Sequence, residues 1–265
     1  MFSLGRNIDF HYKTNKIIAI VSVVVATIGW ILTGNVLSGL YIGFGSFLTW
    51  ALSRELDPKH DFSAFLAVGF SLLNLFYYEN LQLIVIFWFL LLMRMVSGIT
   101  GKGLTTFDIF SLLGFTVYLS LNNKNSVYLL IFLLAIAVVI KAGDKKRESF
   151  ISGGISLGMF IAESFFMRYL SFNSIDYMNF INMFAITILG ISFVFFWFLS
   201  KDAIEDDMGN SVNIFRVLAS QILYSTALLL LFFLGEISIN NLVIYLAAIV
   251  GVMIYFIGSK LNRKT

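Results

Sequence analysis

Long apolar runs broken by short polar clusters set the pattern of this chain. Between Lys16 and Gly34 the sequence reads IIAIVSVVVATIGWILT, without a charge. Leu81 to Met93, Val127 to Ile140, Phe180 to Leu199, Val217 to Leu234 and Leu242 to Gly258 repeat the theme. A hydrocarbon layer about 30 Å thick is crossed by roughly 20 apolar residues in a helix. Inside lipid the backbone must satisfy its own hydrogen bonds, which a helix does and an open strand does not. The alternating segments of a membrane barrel are absent. The pattern predicts an all-α, polytopic integral membrane protein of about ten transmembrane helices in one bundle. The expected spans are 16–34, 36–53, 61–78, 80–97, 105–121, 126–142, 148–169, 178–199, 211–234 and 238–258.

Composition agrees. Of 265 residues, 59% are hydrophobic and only 12% charged, and the mean hydropathy is +0.90. A soluble domain carries roughly 25% charged residues. There is no Cys, which excludes disulfides, thiolate metal sites and Cys nucleophiles. The first apolar run is too long for a signal-peptide core and no small-residue cleavage site follows it, so it reads as a retained span. That reading favours a prokaryotic plasma membrane. No linker or soluble domain interrupts the chain, and 1–265 reads as a single transmembrane domain.

Charge supplies orientation. With both termini in the cytoplasm, only Lys124 and Arg168 of the 18 Lys and Arg residues fall on the outer side. The net charge of +3 then reflects topology. The basic residues are scattered, which argues against nucleic acid as a partner. The bilayer is the expected partner, with a small-molecule or lipid substrate. Gly39 and Gly43 form G-x-x-x-G in the second span, and Gly154 and Gly158 form it in the seventh. These spans are equivalent if the chain is a five-plus-five inverted repeat of about 1–122 and 123–265, a plan many transporters use. Close helix packing explains the same glycines without a repeat.

Two loops concentrate carboxylates. The segment 53–61 reads SRELDPKHD, and Asp57 and Asp61 stand four apart. Such a pair can hold Mg²⁺ together with a substrate phosphate. Asp57 before Pro58 equally reads as a helix N-cap, with Asp61 in the first turn. The segment 201–210 reads KDAIEDDMGN, and Glu205 and Asp206 are its candidate metal ligands. Together the loops resemble the paired acidic motifs of UbiA-type prenyltransferases. That resemblance implies a Mg²⁺-dependent transferase acting on an isoprenoid diphosphate at the cytoplasmic face. The leading Asn of the first motif is missing, and the second lies one hairpin late with a different spacing.

Arg94 precedes Gly98-Ile99-Thr100-Gly101-Lys102-Gly103. A Gly-rich turn with a Lys at a helix start can cradle an anion, although the Walker A spacing is absent. Thr105 and Asp108 have the spacing of a capping box. In an enzyme, Asp57, Asp61, Arg94 and Asp108 are the catalytic candidates. Glu163 lies among Met159, Phe160, Phe165 and Phe166, and an acid within a span is a functional candidate by default. Arg168, five residues on, is placed to neutralise it, and the pair is the candidate substrate or proton site. His11 and His60 lie beside spans and make no transition-metal site without further ligands. Three classes of function fit this sequence: a small-solute secondary transporter or permease, a membrane-embedded transferase on a lipid-phosphate or isoprenoid diphosphate, and a non-catalytic assembly subunit.

Overall fold

The computed structural model describes residues 3–6, 10–76, 81–170, 172, 179–199, 204–235 and 237–262. Among them the fold is all-helical. The helices are α1 (Lys13–Thr33), α2 (Val36–Leu56), α3 (Asp61–Ser71), α4 (Leu83–Ser97), α5 (Thr106–Asn122), α6 (Val127–Ala142), α7 (Lys146–Phe165), α8 (Phe180–Phe198), α9 (Ile214–Leu234) and α10 (Ile239–Asn262). A helix stands at each expected position, but the third run tightens into a 3₁₀ turn at Leu72–Leu75. Helices α1, α2, α8, α9 and α10 are long and apolar enough to cross a membrane. Helices α3 to α6 are apolar but shorter, and α7 opens on Lys146, Arg147 and Glu148.

Polar side chains at the helix starts explain where several helices begin. The first backbone N–H groups of a helix lack intrahelical acceptors. Asn35, Asn179 and Asn213 accept from Leu37, Ile181 and Phe215 at 2.8, 3.0 and 2.9 Å. Asn is among the best residues for that task.

The chain divides into two compact units. Named for their places along the sequence alone, the central unit comprises 1–6 and 91–236, and the flanking unit comprises 7–90 and 237–265. In the flanking unit, α1 and α2 meet along Gly39 and Gly43. A Cβ on Gly39 would lie 2.5 Å from the Ala26 carbonyl oxygen, and one on Gly43 would lie 2.6 Å from that of Ser22. This is the backbone-to-backbone approach that small residues permit. Gly154 and Gly158 serve no such seam, because a Cβ on either would meet nothing within 4 Å. Leu52, Leu56, Ala64, Ile244 and Tyr245 fill the flanking core.

The core of the central unit holds Ile131, Phe132 and Val139 of α6 with Leu189 of α8 and Leu228 of α9. Ser192 and Ser225 join α8 to α9 through their hydroxyls at 2.6 Å. The hydrogen bond offsets the cost of burying these hydroxyls.

Candidate functional site

A turn-rich segment links α4 to α5 in the central unit. Gly98 and Gly101 both adopt positive φ, +68° and +67°. Glycine takes this region without the steric cost other residues incur. Both also admit a close neighbour. A Cβ on Gly98 would lie 2.8 Å from Cζ of Arg216, and one on Gly101 would lie 2.7 Å from Cγ of Asp206. The two glycines therefore let an arginine and a carboxylate rest directly on the turn.

Arg216 sits in the first turn of α9, where a cation opposes the helix dipole. Asp144 follows the C-terminus of α6, where an anion does too. The two meet in an ion pair. Arg216 also donates from Nε to the Val96 carbonyl at 2.8 Å and from Nη2 to that of Met95 at 2.7 Å. It thus closes the C-terminal end of α4, whose last carbonyls have no intrahelical donors.

The segment 204–212 folds back on itself. Asp206 accepts from the backbone N–H of Met208 and Asn210 at 2.8 and 2.9 Å, and Val212 donates to Ile204 at 2.9 Å. Although desolvation acts the other way, the hydrogen bonds from Asn210 and Met208 hold the Asp206 carboxyl below the usual aspartate range. The Asp207 N–H reaches the Ile99 carbonyl at 3.1 Å, and Ile99, Ile204 and Val217 close a small apolar cluster beneath.

The N-terminal residues complete one wall. Ser3 donates to Asp108 from its backbone N–H at 2.8 Å and from its hydroxyl at 2.5 Å. Arg94 donates to the Leu4 carbonyl at 3.3 Å, and Arg6 pairs with Asp207. Thr105 and Asp108 form the expected capping box. The Asp108 carboxylate, 0% exposed, therefore accepts from Ser3 and Thr105 together. It anchors the N-terminal segment, and its acceptor sites are taken.

These elements enclose a cleft of about 190 Å³ whose lining includes Arg94, Lys102, Arg216, Asp144 and Asp206. Three cations face two carboxylates, and both carboxylates are answered within the protein. Arg216 neutralises Asp144, and backbone N–H groups hold Asp206. Lys102 is exposed and, among the described residues, makes no ion pair. The backbone N–H groups of Lys102, Gly103 and Leu104 likewise find no acceptor among the described residues. Consecutive amide donors beside an ammonium group suit a tetrahedral oxyanion.

The other candidates lie elsewhere. Asp57 ends α2 as its C-cap and does not open α3, whose N-cap is His60. Pro58 and Lys59 form a turn between the two helices, so the Asp-Pro pair marks a helix end here. Asp57 lies 3.0 Å from Nδ1 of His60, and Asp61 pairs with Arg54. These residues belong to the flanking unit, and Glu205 and Asp206 to the central one. Among the described residues, no three His, Asp or Glu side chains form a group that could hold a metal ion. Lys201 and Asp202 of the second acidic segment lie outside the described residues. Glu163 is 2% exposed in the last turn of α7 and touches the Ser120 hydroxyl, while Arg168 makes no ion pair with it.

Sequence reasoning passed over Arg216, Asp144 and Ser3 as site residues. A usable signal existed for the first two, since each charge stands at the wrong end of its helix dipole and so needs a partner. Comparison of the chain with protein-family models, curated proteins and solved structures returns no match.

Proposed function

We propose that this chain is a multi-pass membrane protein that binds a phosphate-bearing ligand at its basic, cytoplasmic face, in the cleft of the central unit. The observation that carries the reading is Lys102, which makes no ion pair among the described residues, next to three backbone N–H groups without acceptors among them, with Arg94 on the same cleft. Phosphate is bound by this combination of fixed amide donors and a mobile cation. The cleft lies where α4 ends and α5 and α9 begin, and on this reading those helix ends stand at the level of the lipid headgroups. That placement favours a lipid-phosphate over a solute taken at the midplane. A second reading, proton-linked transport of a small anion, draws on the buried Glu163 in the same unit.

The test is thermal unfolding of the purified protein in bilayer discs. Discs of phosphatidylcholine alone are compared with discs containing phosphatidate. A ligand present at 100 times its dissociation constant stabilises by about 2.7 kcal/mol. Phosphatidate should raise the melting temperature of the wild type and not that of Lys102→Gln. Equal melting in both lipids refutes the lipid-phosphate reading.

A further inference from the structure

At the C-terminal ends of α5 and α7, one hydroxyl faces two acceptors. Oγ of Ser120 lies 2.9 Å from the Asn125 carbonyl oxygen and in closer contact with Oε2 of Glu163. A serine hydroxyl has one hydrogen, and a backbone carbonyl has none to give. If Ser120 donates to Glu163, two lone pairs face each other at Asn125. A carboxylate would then also sit 2% exposed, with Oε1 lacking a hydrogen-bond partner among the described residues. Burying an uncompensated charge is far costlier than burying a neutral acid. If Ser120 donates to Asn125, the contact with Oε2 needs its hydrogen from Glu163.

Among the described residues, no compensating charge reaches the Glu163 carboxyl. Tyr118 on α5, Lys124 in the α5–α6 turn, Tyr128 on α6, and Arg168 and Tyr169 after α7 are, among the described residues, the charged and titratable groups nearby in the chain. None is hydrogen-bonded or ion-paired to the Glu163 carboxyl. Arg168 is exposed, with φ +57°. The Tyr169 backbone N–H donates to the Glu163 carbonyl at 3.0 Å and leaves its carboxyl alone. Around the pair, Ser126 and Ser164 bond at 2.9 Å, and Nδ2 of Asn125 donates to the Leu234 carbonyl at 2.6 Å. The helix ends are thus held in place whatever the charge on Glu163.

We infer that Glu163 is a proton-binding site: in the resting fold it is the neutral acid, with its proton on Oε2 donated to Ser120 and the Ser120 hydrogen passed on to the Asn125 carbonyl. The inference does not depend on the anion cleft, which lies at the opposite ends of α5 and α7.

Infrared difference spectroscopy of the full chain in bilayers tests it, because a protonated carboxyl has a C=O stretch that a carboxylate lacks. Subtraction is needed, since Glu55 is also fully buried. At neutral pH the wild-type-minus-Glu163→Gln spectrum should contain one protonated-carboxyl band, sensitive to deuterium exchange. Ser120→Ala should keep that band and move it to higher frequency, as loss of the acceptor weakens the hydrogen bond. A wild type without the band, or a Ser120→Ala spectrum identical to wild type in this region, overturns the inference. The Ser120→Ala arm decides the matter even if Glu163→Gln fails to fold.

Discussion

The two acidic segments look alike along the chain and are used in opposite ways. In 53–61 the carboxylates of Asp57 and Asp61 find partners close by in the chain. Arg54 takes Asp61 and His60 takes Asp57, all within one helix-turn-helix. In 204–210 the local hydrogen bonds of Asp206 are joined by remote contacts. Asp207 holds Arg6, Asp206 rests on Gly101, and the Asp207 N–H bonds to Ile99. A cluster closed on its own neighbours has spent its charge on local structure. A cluster tied to distant segments shapes a surface, and here that surface is a cleft whose remaining cation and amide donors are available.

The largest effect that would break this contrast is at Gly101. Gly101→Ala forces a side chain onto Asp206 at positive φ, and should cost about 1–3 kcal/mol in denaturant melts. It should also abolish phosphate binding. A variant that melts as wild type would show that the 204–212 turn does not dock on this glycine. Asp144→Asn comes next. Arg216 keeps its two carbonyls but loses its counter-charge, which should cost roughly 1.5–3 kcal/mol. A cost matching that of an exposed pair would move Arg216 out of the structural frame of the cleft.

Removing either partner in the flanking loop should be milder. Arg54→Gln or Asp61→Asn should change stability by less than about 1 kcal/mol, the usual worth of a partly exposed pair. Phosphate binding should be unchanged, and Mg²⁺ should not raise the melting temperature of the wild type through this loop. A Mg²⁺-dependent rise lost in Asp57→Asn would restore the metal reading of the two acidic segments.

The smallest effect is that of pH on the 204–212 turn. The Asp206 carboxyl is held below its ordinary value, so its stabilisation is fully present above that value and is lost only as pH falls through the lower, folded one. Wild type and Asp206→Asn should therefore differ in stability at neutral pH and converge in strong acid. A gap that widens on acidification would reverse the sign.

How much of this was readable follows from the range of each interaction. Helix positions were legible because apolar runs broken by short polar clusters mark them, although among the described residues only five of the runs form helices long and apolar enough to cross a membrane. The Thr105–Asp108 box was legible because its partners stand three apart. The Gly98–Gly103 segment was legible as a glycine-rich turn, but its frame was not. Arg216 and Asp144 are separated by 72 positions, and Ser3 and Asp108 by 105. No spacing rule spans such distances. The Asp57–Pro58 pair misled for the converse reason: a cap signal gives the boundary and leaves open which helix it bounds. Gly39 and Gly154 carry one motif into two roles, because the motif permits close approach and the neighbouring helix decides whether it occurs.

The most direct measurement is equilibrium binding of radiolabelled inorganic phosphate to the purified protein, wild type against Lys102→Gln, at low and moderate salt. The cleft account predicts saturable binding to the wild type, weakened at least tenfold by the substitution. It also predicts no change in Asp57→Asn. Equal binding by wild type and Lys102→Gln, or none by either, would contradict it.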